Sequence, residues 1–482
     1  MPDYKTMMKK TELPEVEPVR LKPIKGIRPG VFILIGLVAA FILIAFALFV
    51  LPGLVSGTGY IKFSTNTANT AIRTEDGKYI GSSEGSVYRL KAGDYRFVFY
   101  VDGAEAGYVD AEVPHRIFFT LFRHNTDTVS FNVQNTPQIE EAVTRTFTEG
   151  TAEWSAVLDY DDTYHFPPLF SSYAHNAAAL SFEDISDPFL YGAMHITSRT
   201  MYEDYLTALS ILESSNVRYS SPELENLNEV LAAIYGGADI LLERTMDNPV
   251  IGTESSNGFF SYDPAVVEMG EDSPASYPES NTAPVKTSVP SFSIAEHTVT
   301  EYEYALFVEE VPYWSRSNID TLIADGNADS GYLDGIALSS SVMSMRPIRN
   351  ISYNAALAYC SWLSEKTGEN VTLPSEAEWY TAALSASGQP YVTTLLHLPS
   401  DNSAPSSMMG GVWEMTRTPY IPLMRLADYE KAIELGSVYP YDSIIIKGGS
   451  YINAQDGITE ETVGVIDRAA TSPFVGFRVC IE

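Results

Sequence analysis

Between Val31 and Leu51 the chain reads VFILIGLVAAFILIAFALFVL, with no charged side chain anywhere in the run. As an α-helix rising ~1.5 Å per residue, such a stretch reaches ~30 Å, the thickness of the hydrocarbon layer of a bilayer. A cleavable secretory signal has a shorter apolar core, ~7–15 residues, followed by a small-residue cleavage site. The segment is therefore expected to be an uncleaved membrane-spanning helix over residues 31–52. No cysteine follows it directly, so a lipoprotein signal is excluded.

Lys5, Lys9, Lys10, Arg20, Lys22, Lys25 and Arg28 precede the run, whereas Pro52 to Lys62 is almost uncharged. Basic residues stay on the cytoplasmic side of a membrane. Residues 1–30 are thus expected to be a short cytoplasmic tail, punctuated by Pro14, Pro18, Pro23 and Pro29. The remainder is expected to be an extracytoplasmic, periplasmic ectodomain held by one pass through the cytoplasmic membrane.

The chain carries 30 Lys+Arg against 62 Asp+Glu, a net charge of −32. The first thirty residues hold seven of the basic groups and four of the acidic ones, leaving an ectodomain with 23 against 58. That field repels phosphate backbones, so nucleic acid is excluded as a partner, while divalent cations and basic partners are favoured. Solubility alone would explain the acidity equally well. With 45% hydrophobic and 12% aromatic residues, there is apolar material for two or three cored domains. Cys360 and Cys480 are the only cysteines, too few for a disulfide-built scaffold.

From Gly59 to Val133 short alternating runs, YIKFS, TAIRT, SVYRL, DYRFVFYV, GYVDAEV and TVSFNV, are separated by turn signals such as Asp76-Gly77 and Asp102-Gly103. They predict a small all-β sandwich over residues 57–135. The Gly-containing hairpin Asp76 to Gly81, and Leu90-Lys91-Ala92-Gly93-Asp94-Tyr95 leading into an aromatic strand, resemble the PEGA module of bacterial envelope proteins. Thr67-Ala68-Asn69-Thr70 stands where that module's namesake residues would be. The resemblance implies a spacer or surface-binding module.

Residues 137–250 read as helical, with apolar side chains at three- and four-residue spacing through Phe189 to Ser214 and Pro222 to Arg244, broken at Ser220-Ser221-Pro222. Their aromatic and Met positions are expected to be core. The Ser- and Pro-rich stretch Glu271 to Pro290 is expected to be a loop inside the next unit, because Val266 to Gly270 already belongs to it.

Further on, cap chemistry predicts three helix starts, at Thr300 with Glu303, at Ser352, and at Ser375 with Glu378. The ordered string Met269-Gly270, Val299-Thr300 with Tyr304 and Phe307, Ser352-Tyr353-Asn354-Ala355 with Ala358-Tyr359-Cys360, Leu373-Pro374-Ser375-Glu376-Ala377-Glu378-Trp379, Gly411-Val412-Trp413-Glu414, Gly448-Gly449-Ser450 and Gly476-Phe477-Arg478 resembles the formylglycine-generating enzyme family, or sulfatase-modifying factor domain. The resemblance covers residues 258–482 and implies an α+β, C-type-lectin-like fold with low regular secondary structure.

The aerobic enzyme of that family holds copper between two cysteine thiolates, soft ligands suited to Cu(I), located between the Gly-Gly-Ser and Gly-Phe-Arg segments. Here Tyr451 to Val475 contains no cysteine, so copper is not expected and no catalytic residue is assigned. Iron in related branches needs two histidines three residues apart, a spacing absent among His115, His124, His165, His175, His195, His297 and His397. His165 and His175 with Asp161 and Asp162 form the one conceivable cluster, and ordinary capping roles are preferred for them.

The resemblance further implies a calcium site at Ser407, Gly410, Val412 and Glu414, with Ser where the family has Asn; the competing role for Glu414 is hydrogen bonding to loop amides. It implies a disulfide between Cys360 and Cys480, against which stands a free buried thiol at Cys360. It places a substrate groove beside Trp413 and Arg478, although Leu396 to Met409 replaces the family's long loop there. The expected function is a membrane-anchored envelope protein whose C-terminal domain binds a peptide, a glycan or an envelope protein. The alternative is a sulfatase-modifying-factor-type oxidoreductase using a divergent site.

Overall fold

The apolar run folds as the helix Pro29–Phe49, in which none of the side chains from Gly30 to Phe49 is packed into the protein interior, and the short helix Leu51–Ser56 follows it. Among the described residues it is the one helix long and apolar enough to cross a membrane. The computed structural model describes residues 28–83, 86–115, 118, 126–156, 166–237, 241–242, 244, 248, 253–274, 282–399, 403–439 and 441–482. The expected tail over 1–30 lies almost wholly outside these residues, as do Asp161, Asp162 and His165. The chain is multidomain and α+β, divided into two compact units.

The first unit runs to Thr65 and adds Thr70–Tyr100 and Gly107–Asn132. Its strand Thr58–Thr65 pairs antiparallel with Val87–Lys91 and parallel with Asp127–Phe131. A second sheet has the order Tyr79–Ser82, Thr70–Thr74, Gly93–Val101, Ala104–Val113. Alternation sends Ile61 and Phe63 inward from the first sheet and Phe97 and Phe99 inward from the second. Phe63 meets Phe97 edge-on at 4.9 Å, and Phe99 stacks on Phe131 at 4.6 Å, so the two sheets share one aromatic core. Gly81 is required there: a Cβ would fall 2.2 Å from the ring of Tyr88, whose hydroxyl donates to the Ser82 carbonyl at 2.8 Å.

The second unit comprises Asn66–Asn69, Val101–Ala106 and Val133–Glu482. Its helices Pro137–Ser155, Arg199–Glu213 and Pro222–Gly236 start on Thr136, Ser198 and Ser221, each accepting from the amide three residues on. Helix Leu169–Leu180 lacks such a cap, and Asp204 from another helix supplies it, accepting from the Phe170 amide at 2.8 Å and the Ser171 hydroxyl at 2.5 Å. Phe147, Phe170, Tyr173, Phe189 and Tyr205 fill the space between the helices, as the apolar spacing predicts. The last helix stops at Gly236 because Gly237 turns left-handed (φ 79°), and Leu241–Leu242 then pairs as a strand with Ser273–Pro274, where the apolar spacing predicts a helix continuing towards Arg244.

No packing boundary separates these helices from the C-terminal strands and helices, although they read as a separate region in the sequence. The Leu423 amide donates to the Met194 carbonyl at 3.0 Å, Lys431 pairs with Asp187 at 3.0 Å, and Tyr191 packs on Tyr439 at 5.1 Å.

The remaining chain has short strands. One sheet orders Val371–Thr372, Cys480–Ile481, Phe292–Ala295, Phe259–Tyr262 and Thr253–Ser256; another orders Gly464–Asp467, Ser443–Lys447, Trp413–Pro419 and Val475–Phe477. Strands Ala265–Met269 and Val285–Val289 form a hairpin, which puts the Ser- and Pro-rich stretch inside the unit. Thr300 and Ser375 start helices Glu301–Glu310 and Glu376–Ser385 with reciprocal capping boxes, and Tyr353–Thr367 runs from Ser352 to a left-handed Gly368. Their inner faces meet in an aromatic core where Tyr359 packs on Tyr304 at 5.9 Å and on Phe477 at 5.3 Å.

Candidate functional site

Strand Trp413–Pro419 lies between Ser443–Lys447 and Val475–Phe477, with Glu414 opposite both Lys447 and Gly476. The strand is covered on both faces from Glu414 to Thr416, so Glu414 is 1% exposed, while Trp413 at its start is half-buried. Glu414 Oε1 accepts from Arg478 Nη2 at 2.8 Å, and Oε2 accepts from Arg478 Nε at 2.9 Å and from the Trp379 indole at 2.9 Å. Arg478 is 0% exposed and spends its other hydrogens on the carbonyls of Ala295, Glu296 and Ser406. One guanidinium thus ties four segments together.

The glycines of the motif string make this approach possible. Gly448 (φ 92°) would place a Cβ 2.6 Å from the Met408 carbonyl and 2.9 Å from the Trp379 ring, and Gly476 would place one 2.4 Å from the Ile348 carbonyl.

Arg478 therefore lies beneath the surface and does not line a groove, a correction to the expected pairing with Trp413. Glu414 does not bond the loop amides of its competing role: its carboxylate is met by Arg478 and the Trp379 indole. Ser407 (φ 58°) accepts from the Leu398 amide at 2.8 Å, the Gly410 amide donates to the Gly448 carbonyl at 2.8 Å, and Val412 is buried. Cys360 and Cys480 are both buried free thiols, so the expected disulfide is not formed. The Cys480 thiol is directed instead at the Glu378 carboxylate, 3.9 Å away. Burial pushes Cys360 up to about 12 and Cys480 well above the usual thiol range.

Sequence spacing missed a histidine pair. His297 and His397 stack at 4.9 Å around Thr298, whose carbonyl accepts from His297 Nδ1 at 2.9 Å and whose hydroxyl bonds His397 Nε2 at 2.7 Å. Burial, followed by the fields of His297 and Arg478, pushes His397 down to about 3. Among the described residues no group of three or more His, Cys, Asp or Glu side chains is arranged to hold a metal ion.

Two other carboxylates of the motif string, Glu376 and the capping residue Glu378, are fully buried charge centres. Glu376 accepts from Arg425 at 2.6 Å and from the Tyr429 hydroxyl at 2.8 Å, with Lys447 Nζ at 3.5 Å. Burial raises Glu376, but Arg425 and Lys447 outweigh it and hold the carboxyl below its ordinary range. Burial likewise pulls Lys447 down to about 8 against the pull of Glu376. Glu378 takes a two-pronged bond from Arg417 at 2.7 and 2.9 Å and also accepts from the Ser375 amide. The only sequence signal was two carboxylates on a helix otherwise built of Trp379, Ala382 and Ala383.

Residues 256–405 match the family model of the sulfatase-modifying factor enzyme 1-like domain. The matched segment begins at the end of strand Thr253–Ser256 and includes the capped helices, Trp379 and the histidine pair, while Glu414 and Arg478 lie beyond it. The chain is also 25% identical, over 412 residues, to an uncharacterized protein of Borreliella burgdorferi, covering 76% of this chain and 79% of that one. Among solved structures, PvdO from Pseudomonas aeruginosa matches at 17% identity and TM-score 0.34, over 49% of this chain and all of that one. Treponema denticola variable protein 1 matches at 14% identity and TM-score 0.30, over 48% of this chain and 99% of its own. CarF matches at 15% and 0.31, over 46% and 97%.

Proposed function

We propose that this protein is a membrane-anchored, extracytoplasmic binding protein of the cell envelope whose sulfatase-modifying-factor region recognises a peptide, a glycan or a neighbouring envelope protein without oxidising it. The observation that carries this reading is the state of the thiols. A copper oxidase of this type needs two accessible thiolates, and the two cysteines here are buried as neutral thiols. The segment Tyr451 to Val475 offers no replacement.

The helix Pro29–Phe49 serves in this reading as the single-pass anchor, the two sheets after it as a PEGA-like sandwich, and residues 258–482 as one C-type-lectin-like domain. Calcium is left out of it, because Glu414 is already balanced by Arg478. Intact protein in detergent, incubated with Cu(I), oxygen and cysteine-containing peptides of the sulfatase type, should yield no aldehyde and retain no stoichiometric copper. Aldehyde formation on the peptide, detected by hydrazide capture and mass spectrometry, overturns the proposal in favour of an enzyme with a divergent site.

A further inference from the structure

The end of the β module nearest the anchor presents two exposed cations, Arg89 and Lys91. Strand Thr58–Thr65 leaves helix Leu51–Ser56 across the single residue Gly57, and its register places Lys91 opposite Thr58 and Arg89 opposite Tyr60. The Ala92 amide donates to the Gly57 carbonyl at 2.8 Å, and Arg89 Nε donates to the Thr58 hydroxyl at 3.0 Å. His115 Nε2 donates to the Gly53 carbonyl at 3.1 Å, which binds the far end of strand Ala104–Val113 to the same helix. These bonds fix Arg89 and Lys91 within a few residues of the point where the apolar helix ends.

Arg89 and Lys91 are exposed and have no carboxylate partner among the described residues, unlike Arg96, which is held by Asp110 at 2.8 Å and Glu75 at 3.4 Å. Both line a cleft of about 760 Å³ whose other charged residues are Lys78 and Arg96 against Glu75, Asp76 and Asp94, with Glu75 already engaged by Arg96. In helix Leu51–Ser56, which ends one residue before the Gly57 carbonyl that accepts from Ala92, exposed apolar side chains stand at Leu54 (51%) and Val55 (77%). Phe118, 66% exposed, comes three residues after His115, at most ~11 Å of chain. Apolar side chains and cations near the same helix end match the headgroup zone of a bilayer, where a basic residue gains about 1 kcal/mol from anionic lipid.

We propose that Arg89 and Lys91 bind the phosphate groups of anionic phospholipids in the leaflet from which the anchor emerges, seating the β module on the membrane. The inference rests on the anchor reading. Its occupant is a lipid phosphate, because the helix leading into the paired strand carries exposed apolar side chains that a free anion would leave in water.

The test uses the full chain reconstituted with equal amounts of phosphatidylcholine and phosphatidylglycerol. A carbonate wash comes first: a chain stripped from the vesicles overturns the anchor and this inference together. For a retained chain, native mass spectrometry of protein released from nanodiscs should find phosphatidylglycerol enriched. R89Q/K91Q should lower that enrichment about five-fold for each charge removed. Amide exchange over Val87–Lys91 should be slower with phosphatidylglycerol than with phosphatidylcholine alone, and the variant should lose the difference. Unchanged enrichment and exchange in a variant whose strand Gly93–Val101 stays protected overturns the inference while leaving the anchor standing. If inorganic phosphate slows the exchange equally in phosphatidylcholine discs, the lipid assignment is overturned.

Discussion

Arg478, directly after strand Val475–Phe477, meets Glu414 of the neighbouring strand with both side chains buried, joined by two parallel hydrogen bonds of 2.8 and 2.9 Å. Desolvation cancels much of the attraction in such a pair, so its worth shows when one partner is removed and the other is left charged in the interior. Arg478→Ala should therefore cost about 3–5 kcal/mol of unfolding free energy. Arg478→Lys should not restore it, because an ammonium cannot reach Glu414 and three carbonyls at once. Urea unfolding followed by tryptophan fluorescence measures both; a wild-type midpoint in either variant contradicts this role.

The cluster at Glu376 predicts an asymmetry. Glu376→Gln leaves Arg425 and Lys447 facing each other without their counter-charge, a loss of about 3–5 kcal/mol, whereas Lys447→Met removes one of two cations and should cost less than about 1 kcal/mol. Equal losses in the two variants would mean that Lys447, at 3.5 Å, is as tightly coupled to Glu376 as Arg425 at 2.6 Å.

His195 is 3% exposed, its Nδ1 donates to the Tyr191 carbonyl at 2.8 Å, and burial pulls it down to about 4. The unfolded chain binds a proton near pH ~6.5, the folded chain only near 4, so the unfolded state carries more protons between these values. Stability must fall as pH drops through that window, by up to ~3 kcal/mol from this group at pH ~4. His195→Asn, which can still donate to Tyr191, should flatten the decline in melting temperature between these pH values. An identical slope in the variant would place the acid sensitivity elsewhere.

Both cysteines should resist Ellman's reagent in the native protein and react fully after denaturation without reductant, giving two thiols per chain. A denatured, unreduced chain that yields none, with a mass lower by two hydrogens, would establish the disulfide instead.

Local chemistry was legible in the sequence wherever one segment sufficed to determine it. The charge-free run from Val31 to Leu51 dictates an outward-facing helix, and Thr300, Ser352 and Ser375 dictate helix starts, because a cap satisfies amides three residues away. Period-two alternation put Phe63, Phe97 and Phe99 in a core. Tertiary structure alone decided which charges meet. Glu414 and Arg478 are 64 residues apart, and Glu376 and Arg425 are 49 apart, yet each pair shares one buried point because long-range packing brings them there. The same packing turned Cys480 toward Glu378, stacked His297 on His397 across a hundred residues, and joined the helices to the C-terminal sheets as one unit. Contacts between distant segments depend on the enclosure that the whole fold creates, and no local pattern of residue types records that.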